Sequence, residues 1–362
     1  MFFLEYVDNV NNSVYTNFGA KLALEYAVEA GNFLSRCDSR CDSYKSLADS
    51  LVILFDESLG IHPEYEGYNG AIIKQADVVL LHYPLGMKMS PEVQAADLDF
   101  YTDVTDPGGP AMTWGMHSIG YHDLHQLEKA AKFLNMSFQD NMQAPFQVWT
   151  ETPDGNAGNF ITGAGGFLQT VLAGYGGIRI SSNDPNRLSI SGSSCPEISK
   201  GLLFEGVNYL GSLIDISFEC SDEMAPSSPT IMNFLLTENG PLVLFATVYS
   251  TDKETPMSQQ ELQVGVAFTV PMDTSSSYDF YVSSTAYEEP SSQSTDDGWN
   301  SFPEYAQALI IIAVIIIAAV IVIGIYIMKS RASNAQGEEN VGLMAKLFHN
   351  QKNDGGSLSA RL

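Results

Sequence analysis

Near Arg179 the spacing of apolar residues changes from helical to alternating. One layer of secondary structure does not accommodate both periods, so a helical part followed by a sheet part is expected. Upstream, Phe18, Leu22, Tyr26 and Ala30 fall four apart, with Leu24 and Val28 widening the stripe. That pattern predicts a helix over 17–34, capped by Asn17 and stopped near Gly31. A second helix is expected over 44–55, with Leu47, Leu51 and Leu54 on its apolar side. Residues 61–74 are rich in Gly, Pro and Tyr without a period and read as a long loop, where function tends to sit. Residues 76–82 form a buried apolar element that Pro84 ends, and Pro91 opens another helix. Residues 111–134 hold one or two more helices, and a short one is expected over 167–173. Downstream, Ile214, Ile216, Phe218 and Cys220 alternate with Asp215, Ser217 and Glu219. The runs at 241–248 and 262–270 add to an expected antiparallel β-sandwich over 181–285.

Charge excludes one class of partner. The 17 Lys+Arg against 43 Asp+Glu leave a net charge of -26, a surface that repels nucleic acid. The four cysteines are too few for a disulfide scaffold. Cys37 and Cys41 would share a helix face, and with no nearby His they give little support to a zinc site. Cys195 and Cys220 flank strand-like sequence, where a bridge and a pair of buried free thiols are both open.

Beyond the sheet part, residues 286–304 read as a Ser/Thr/acidic stalk. Residues 308–328 carry no charge and are dominated by Ile, Val, Ala and Leu. As a helix that run spans about 30 Å of hydrocarbon. With Tyr305 and Tyr326 near its ends and Lys329 and Arg331 directly after it, a single-pass transmembrane helix over 305–328 is expected. The positive-inside rule then puts the tail, 329–362, in the cytosol and the acidic part outside the cell or in a lumen. The apolar start at Met1 is too short for a signal peptide.

The residues that carry chemistry come in blocks: Glu5-Tyr6, Val10 to Asn17, Lys74-Gln75, Gly109 to Trp114, Trp149-Thr150-Glu151, and Phe160 to Gly166. Taken one at a time, Glu5 and Glu151 are two acids among 43, and spacing does not single them out. Together and in this order, the blocks resemble the C-terminal half of glycoside hydrolase family sixty-five. The resemblance is strong over roughly residues 5–180 and weaker to about 285. It implies that residues 1–180 form the second half of an (α/α)6 toroid barrel.

It also implies roles. Inverting hydrolysis needs one carboxyl to protonate the leaving oxygen and a second, roughly 6.5–9.5 Å away, to activate water on the opposite face. By resemblance Glu5 is that acid and Glu151 that base, although Leu4 stands where the family has an Asp. Lys74 and Gln75 grip hydroxyls of the glucose, offering donors and an acceptor side by side. Trp114 is expected to line the cleft, while His117 is expected to pack in the core. Gly109 to Trp114 takes the hydrolase form of a segment that holds phosphate in the family's phosphorylases, so water is the expected nucleophile. The implied reaction releases glucose from glucosylgalactosyl-hydroxylysine or a kojibiose-type α-1,2-glucoside, with trehalose as the alternative. A further alternative is a membrane-tethered remnant with a carbohydrate-binding or scaffold role. No cofactor or metal is implied.

Overall fold

The structure, a computed structural model, describes residues 7–286 except 8, 154, 156, 181–186, 192–193, 197–198, 221–226, 228, 251–255 and 273–277. Glu5, nearly all of the stalk, the apolar run at 305–328 and the tail lie outside the described residues. Among the described residues, no helix is long and apolar enough to cross a membrane.

Helices come first. Helix α1 spans Val14–Phe33 and begins three residues earlier than the apolar period suggested, because Ser13 is its cap. The Ser13 hydroxyl accepts from the Thr16 N–H at 3.4 Å, satisfying one of the orphan donors of the first turn. Asn17 instead donates its amide to the Val52 carbonyl at 2.8 Å. Helix α2 spans Ser39–Ser50 rather than 44–55, since Asp38 caps it by accepting from the Arg40 N–H. Leu51 is already extended. Cys37 and Cys41 are joined by a disulfide that packs on Gly31 of α1.

The apolar element at 76–82 is a 3-10 helix, Asp77–Leu81, that buries Val78, Val79 and Leu81. Helix α3, Pro91–Val104, starts at its Pro with Ser90 as cap. Residues 111–134 resolve into two helices, α4 Met112–Asp123 and α5 Leu127–Met136. Helix α4 is buried on nearly every side, which is why its sequence lacks a clear apolar stripe. Small residues let its neighbours approach: a Cβ on Gly115 would stand 2.8 Å from Thr170 Oγ1 and 3.0 Å from the Gly166 carbonyl oxygen. A two-residue-per-strand hairpin, β1 Met142–Gln143 and β2 Val148–Trp149, leads to helix α6, Ile161–Gln169. A π-helical turn, Thr170–Tyr175, continues it. The expected helix over 167–173 is therefore the tail of a longer one.

Among the described residues, nine antiparallel strands follow, in two sheets. One has the order β10 (Ala267–Pro271), β7 (Ile231–Glu238), β6 (Ser212–Glu219), β5 (Gly201–Tyr209). The other has β3 (Ile178–Ile180), β4 (Arg187–Ser191), β11 (Tyr278–Ser283), β8 (Phe245–Ser250), β9 (Ser258–Glu261). Ile214, Ile216 and Phe218 from the first sheet share one core with Val248, Phe280 and Val282 from the second, as the alternating pattern requires. The run at 262–270 is a single strand only from Ala267; the chain turns at Gly265, which takes φ +78.

Cys195 and Cys220 are disulfide-bonded, 25 residues apart. Closing a loop of that length in the unfolded chain is worth about 3 kcal/mol. Cys195→Ser is accordingly expected to lower unfolding free energy by about that amount, read from denaturant melts under non-reducing conditions. Equal stability of the variant and the parent would show that the bridge adds nothing.

Helices and sheets are tied together by a buried polar junction. Asp123, the last residue of α4, receives Arg179 Nη2 on Oδ1 at 2.7 Å and Nη1 on Oδ2 at 3.1 Å. His82 Nε2 lies 2.9 Å from Asp123 Oδ2. Beside it, His122 Nδ1 and Ser194 Oγ are 3.0 Å apart.

Candidate active site

Three of the five residues singled out in the sequence fall close together. Lys74 and Gln75 precede the 3-10 helix, and Glu151 follows strand β2. Across 77 residues of chain, Lys74 Nζ reaches Glu151 Oε1 at 3.1 Å, with the two side chains 21% and 30% exposed. Such a pair retains access to solvent and ligand while holding both groups in one place.

Local hydrogen bonding fixes the Glu151 main chain. Its carbonyl accepts from the Ala111 N–H at 2.9 Å and from Asn141 Nδ2 at 3.1 Å. The Thr150 hydroxyl is buried and donates to the Asn141 and Thr152 carbonyls. Trp149 packs against Phe167 with the rings tilted by 49° and donates its indole N–H to the Ser137 carbonyl at 3.3 Å. The Trp-Thr-Glu block thus anchors on both sides and leaves its Glu partly open.

The Gly109-Pro110 loop passes directly over Lys74. A Cβ on Gly109 would stand 2.6 Å from the Lys74 carbonyl oxygen and 2.9 Å from that of Asp106. Both are backbone atoms that cannot swing aside. Gly109→Ala is therefore expected to shift the Lys74 main chain and lower kcat/KM by about 10-fold or more, since sub-ångström misplacement is costly at a reacting centre. Gly165→Ala is the control. A Cβ there meets nothing within 4 Å, so activity is expected to stay unchanged while α6 gains up to about 1 kcal/mol. Equal activity of the two variants would refute the steric account.

Next to Gln75 lies a pocket of about 220 Å³ between the 3-10 helix, α4 and α6. Gln75, Asp77, Thr113, Thr162 and Gln169 contribute its polar lining. Gln75 Nε2 donates to Asp77 Oδ1 at 3.1 Å. Burial raises the Asp77 carboxyl above its usual range, opposed by that bond. Behind it, burial first and the Asp77 charge second push the Glu64 carboxyl well above the carboxylate range.

Trp114 is not at an open cleft. It is 4% exposed and stacks on Phe133 with ring centroids 5.6 Å apart. Its α4 neighbours Met112, Thr113 and Met116 line the pocket instead. The correction has a simple cause: at 100° per residue, a helix that presents Thr113 and Met116 to a pocket turns Trp114 away. His117 is fully buried, as expected of a core residue, and burial lowers its pKa to about 4. Asp77, Thr113 and Asn141 were not singled out in the sequence. Asp77 carried a signal, an acid opening an apolar run; Thr113 and Asn141 carried none. Among the described residues, no group of His, Cys, Asp and Glu could hold a metal ion.

Comparison with known proteins finds relatives for part of the chain. No family model matches the chain. A protein-glucosylgalactosylhydroxylysine glucosidase of Dictyostelium discoideum is 41% identical over 245 residues, covering 66% of this chain and 34% of that protein. This chain is a homologue of that glucosidase. A kojibiose hydrolase of Mucilaginibacter mallensis is 34% identical over 206 residues, covering 56% of this chain and 29% of its own length. Among solved structures, a putative kojibiose phosphorylase from human microbiome superposes with a TM-score of 0.51 at 14% identity, over 73% of this chain and 38% of that one. That likeness supports the fold, helices followed by antiparallel sheets. The resemblance to glycoside hydrolase family sixty-five read from the motifs is borne out by these matches. The chain spans about a third of the length of the curated relatives it matches.

Proposed function

We propose that this chain carries the general-base part of an inverting α-glucoside hydrolase that releases glucose. The observation behind this is the Lys74–Glu151 pair, 3.1 Å apart, which brings the Lys-Gln and Trp-Thr-Glu blocks to one place. In the proposed reaction Glu151 takes a proton from water as the water oxygen attacks the anomeric carbon. The bond from that carbon to the leaving oxygen breaks, and Glu5 gives the leaving oxygen its proton. Lys74 and Gln75 hold the glucose hydroxyls. The helices belong to the second half of an (α/α)6 toroid, consistent with apolar side chains left exposed on α1 and α6, where Phe33 is 87% and Ile161 81% exposed.

The preferred substrate is glucosylgalactosyl-hydroxylysine or a kojibiose-type α-1,2-glucoside, ahead of trehalose, following what the two relatives are named for. Incubation of the full chain with each of the three, with free glucose as readout, tests this. Release from one of the first two is expected. A folded chain that binds glucose but releases none would favour the carbohydrate-binding alternative.

The same proposal places the protein in a membrane through residues 305–328, with the catalytic part extracellular or lumenal. Two disulfides, Cys37–Cys41 and Cys195–Cys220, suit an oxidising compartment. Retention in the membrane fraction after an alkaline carbonate wash is expected; release into the wash would refute the anchor.

A further inference from the structure

Glu64 is a buried acid that the proposed reaction does not use. It lies in the loop ahead of Lys74, is 1% exposed, and neither of its carboxyl oxygens has a hydrogen-bond partner. A buried polar group in that state is rare and costly. Three elements meet at this residue. Its carbonyl accepts from the N–H of Val14, the first residue of α1, at 3.2 Å. Two residues on, the Glu66 N–H donates to the Asn11 carbonyl at 3.0 Å. Its carboxyl faces the start of the 3-10 helix, directly after Lys74-Gln75. The Asp77 and Val78 N–H groups lie near it without closing a hydrogen bond, and the Asp77 carboxyl lies near it too. Tyr65 and Tyr68 from its own loop and Tyr101 from α3 also face it, while Tyr15 of α1 faces Asp77. His62, two residues back, is committed to Asp97, with Nδ1 2.7 Å from Oδ2. Two buried carboxyls facing each other in such surroundings do not both ionise. Hydrogen bonding decides which keeps the charge. Asp77 Oδ1 accepts from Gln75 Nε2 at 3.1 Å, a bond that favours the charged form, whereas Glu64 has none.

We propose that Glu64 is a positioning residue: as the neutral acid it lets the Asp77 carboxylate lie against it and so keeps Lys74 and Gln75 in place, and its ionisation displaces them. This rests on the glucoside-hydrolase function proposed above and adds a control of that site by pH. Asp77 carries Gln75 on its Oδ1. When Glu64 gives its proton to bulk water, its new charge repels Asp77, and the repulsion is strong because both groups are buried. Asp77 shifts, Gln75 shifts with it, and Lys74 is the next residue in the chain. Burial and the Asp77 charge both favour the neutral form of Glu64, so the device rests in its holding state and is released as pH rises.

The test compares the full chain with Glu64→Gln, a neutral side chain of the same length, over a pH series from about 5 to about 9. Difference infrared spectra read the proton. The parent at neutral pH should show the C=O band of a protonated buried carboxyl, and the variant should lack it. Hydrogen exchange over residues 73–78 reads the positioning. Compared at equal pH, the parent should lose protection relative to Glu64→Gln as pH rises, by about 10-fold for each unit of linked pKa shift. Calorimetric affinity for D-glucose should fall over the same range, and by less in the variant. A missing band overturns the proposal. So does exchange that differs by one constant factor at every pH, which is what a merely structural role gives. Glucose release from a glucoside is measured alongside. Release with no pH-dependent difference in exchange overturns the role of Glu64 alone. The expected exchange in a chain that neither binds nor releases glucose supports that role and overturns the proposed function. If Glu64→Gln fails to fold, the parent alone decides: its band and its protection at 73–78 are expected to vanish together, and separate titrations overturn the proposal.

Discussion

Glu151→Gln is expected to lower kcat for α-glucoside hydrolysis by about 10²- to 10⁴-fold, with KM little changed. The range is what a positioned general base contributes. Gln keeps the size of the side chain and a hydrogen bond to Lys74, now at 3.1 Å, while removing the ability to take a proton from water. The main chain at this point is held by Ala111 and Asn141, so the substitution should not disturb the fold. Glu151→Ala adds a discriminating readout. Azide needs no deprotonation and is small enough to enter the space left by the side chain, so it should restore turnover and yield β-glucosyl azide. A Glu151→Gln variant as fast as the parent would remove Glu151 from the mechanism.

Asp123→Ala is expected to cost about 3 kcal/mol of stability, toward the lower end for a broken buried ion pair. Asp123 is 14% exposed, but Arg179 and His82, at 26% and 29%, keep some access to water. For a unit of this size that is roughly a 6–12 °C fall in Tm. The junction also gives stability a direction with pH. Burial works to raise the Asp123 carboxyl, but His82 and Arg179 outweigh it and hold its pKa below the usual value. Such a group contributes stability above its unfolded pKa, lost as pH falls through the folded one. Burial also lowers His117 to about 4 and His122 to about 3. Unfolded histidines bind protons from about pH 6.5, so these two begin to erode stability there, before Asp123 does. The parent Tm should therefore fall steadily below pH 6.5. In Asp123→Ala the loss below about pH 4 should be smaller, because the depressed carboxyl is gone. A flat parent Tm between pH 7 and pH 4 would contradict the two histidine assignments, and equal losses in parent and Asp123→Ala below pH 4 would contradict that of Asp123.

Much of this architecture is legible in the sequence where one physical signal acts alone. The change of period near Arg179 locates the passage from helix to sheet, and strand β6 (Ser212–Glu219) follows directly from alternation. Helix starts were misplaced where a side-chain cap competed with the apolar stripe. Ser13 and Asp38 start helices earlier than Asn17 and Tyr44 suggested. Helix α4 (Met112–Asp123) falls within the helical span expected over 111–134, but which side it buries was not legible, since burial on nearly every side erases the stripe. The same burial turns Trp114 into core and hands the pocket to Thr113 and Met116. For the site, motifs chose Lys74 and Glu151, but their approach across 77 residues is a tertiary fact without a local signature. Asn141, which holds the Glu151 carbonyl, depends on the same long-range placement.

The most direct measurement is the anomeric form of glucose at the moment of release, followed by proton NMR during early turnover of an α-glucoside by the full chain. Inversion by water that Glu151 activates requires β-glucose first, drifting to the α/β equilibrium by mutarotation, and loss of that signal in Glu151→Gln. Initial appearance of α-glucose would mean retention and would contradict Glu151 as the base of an inverting hydrolase.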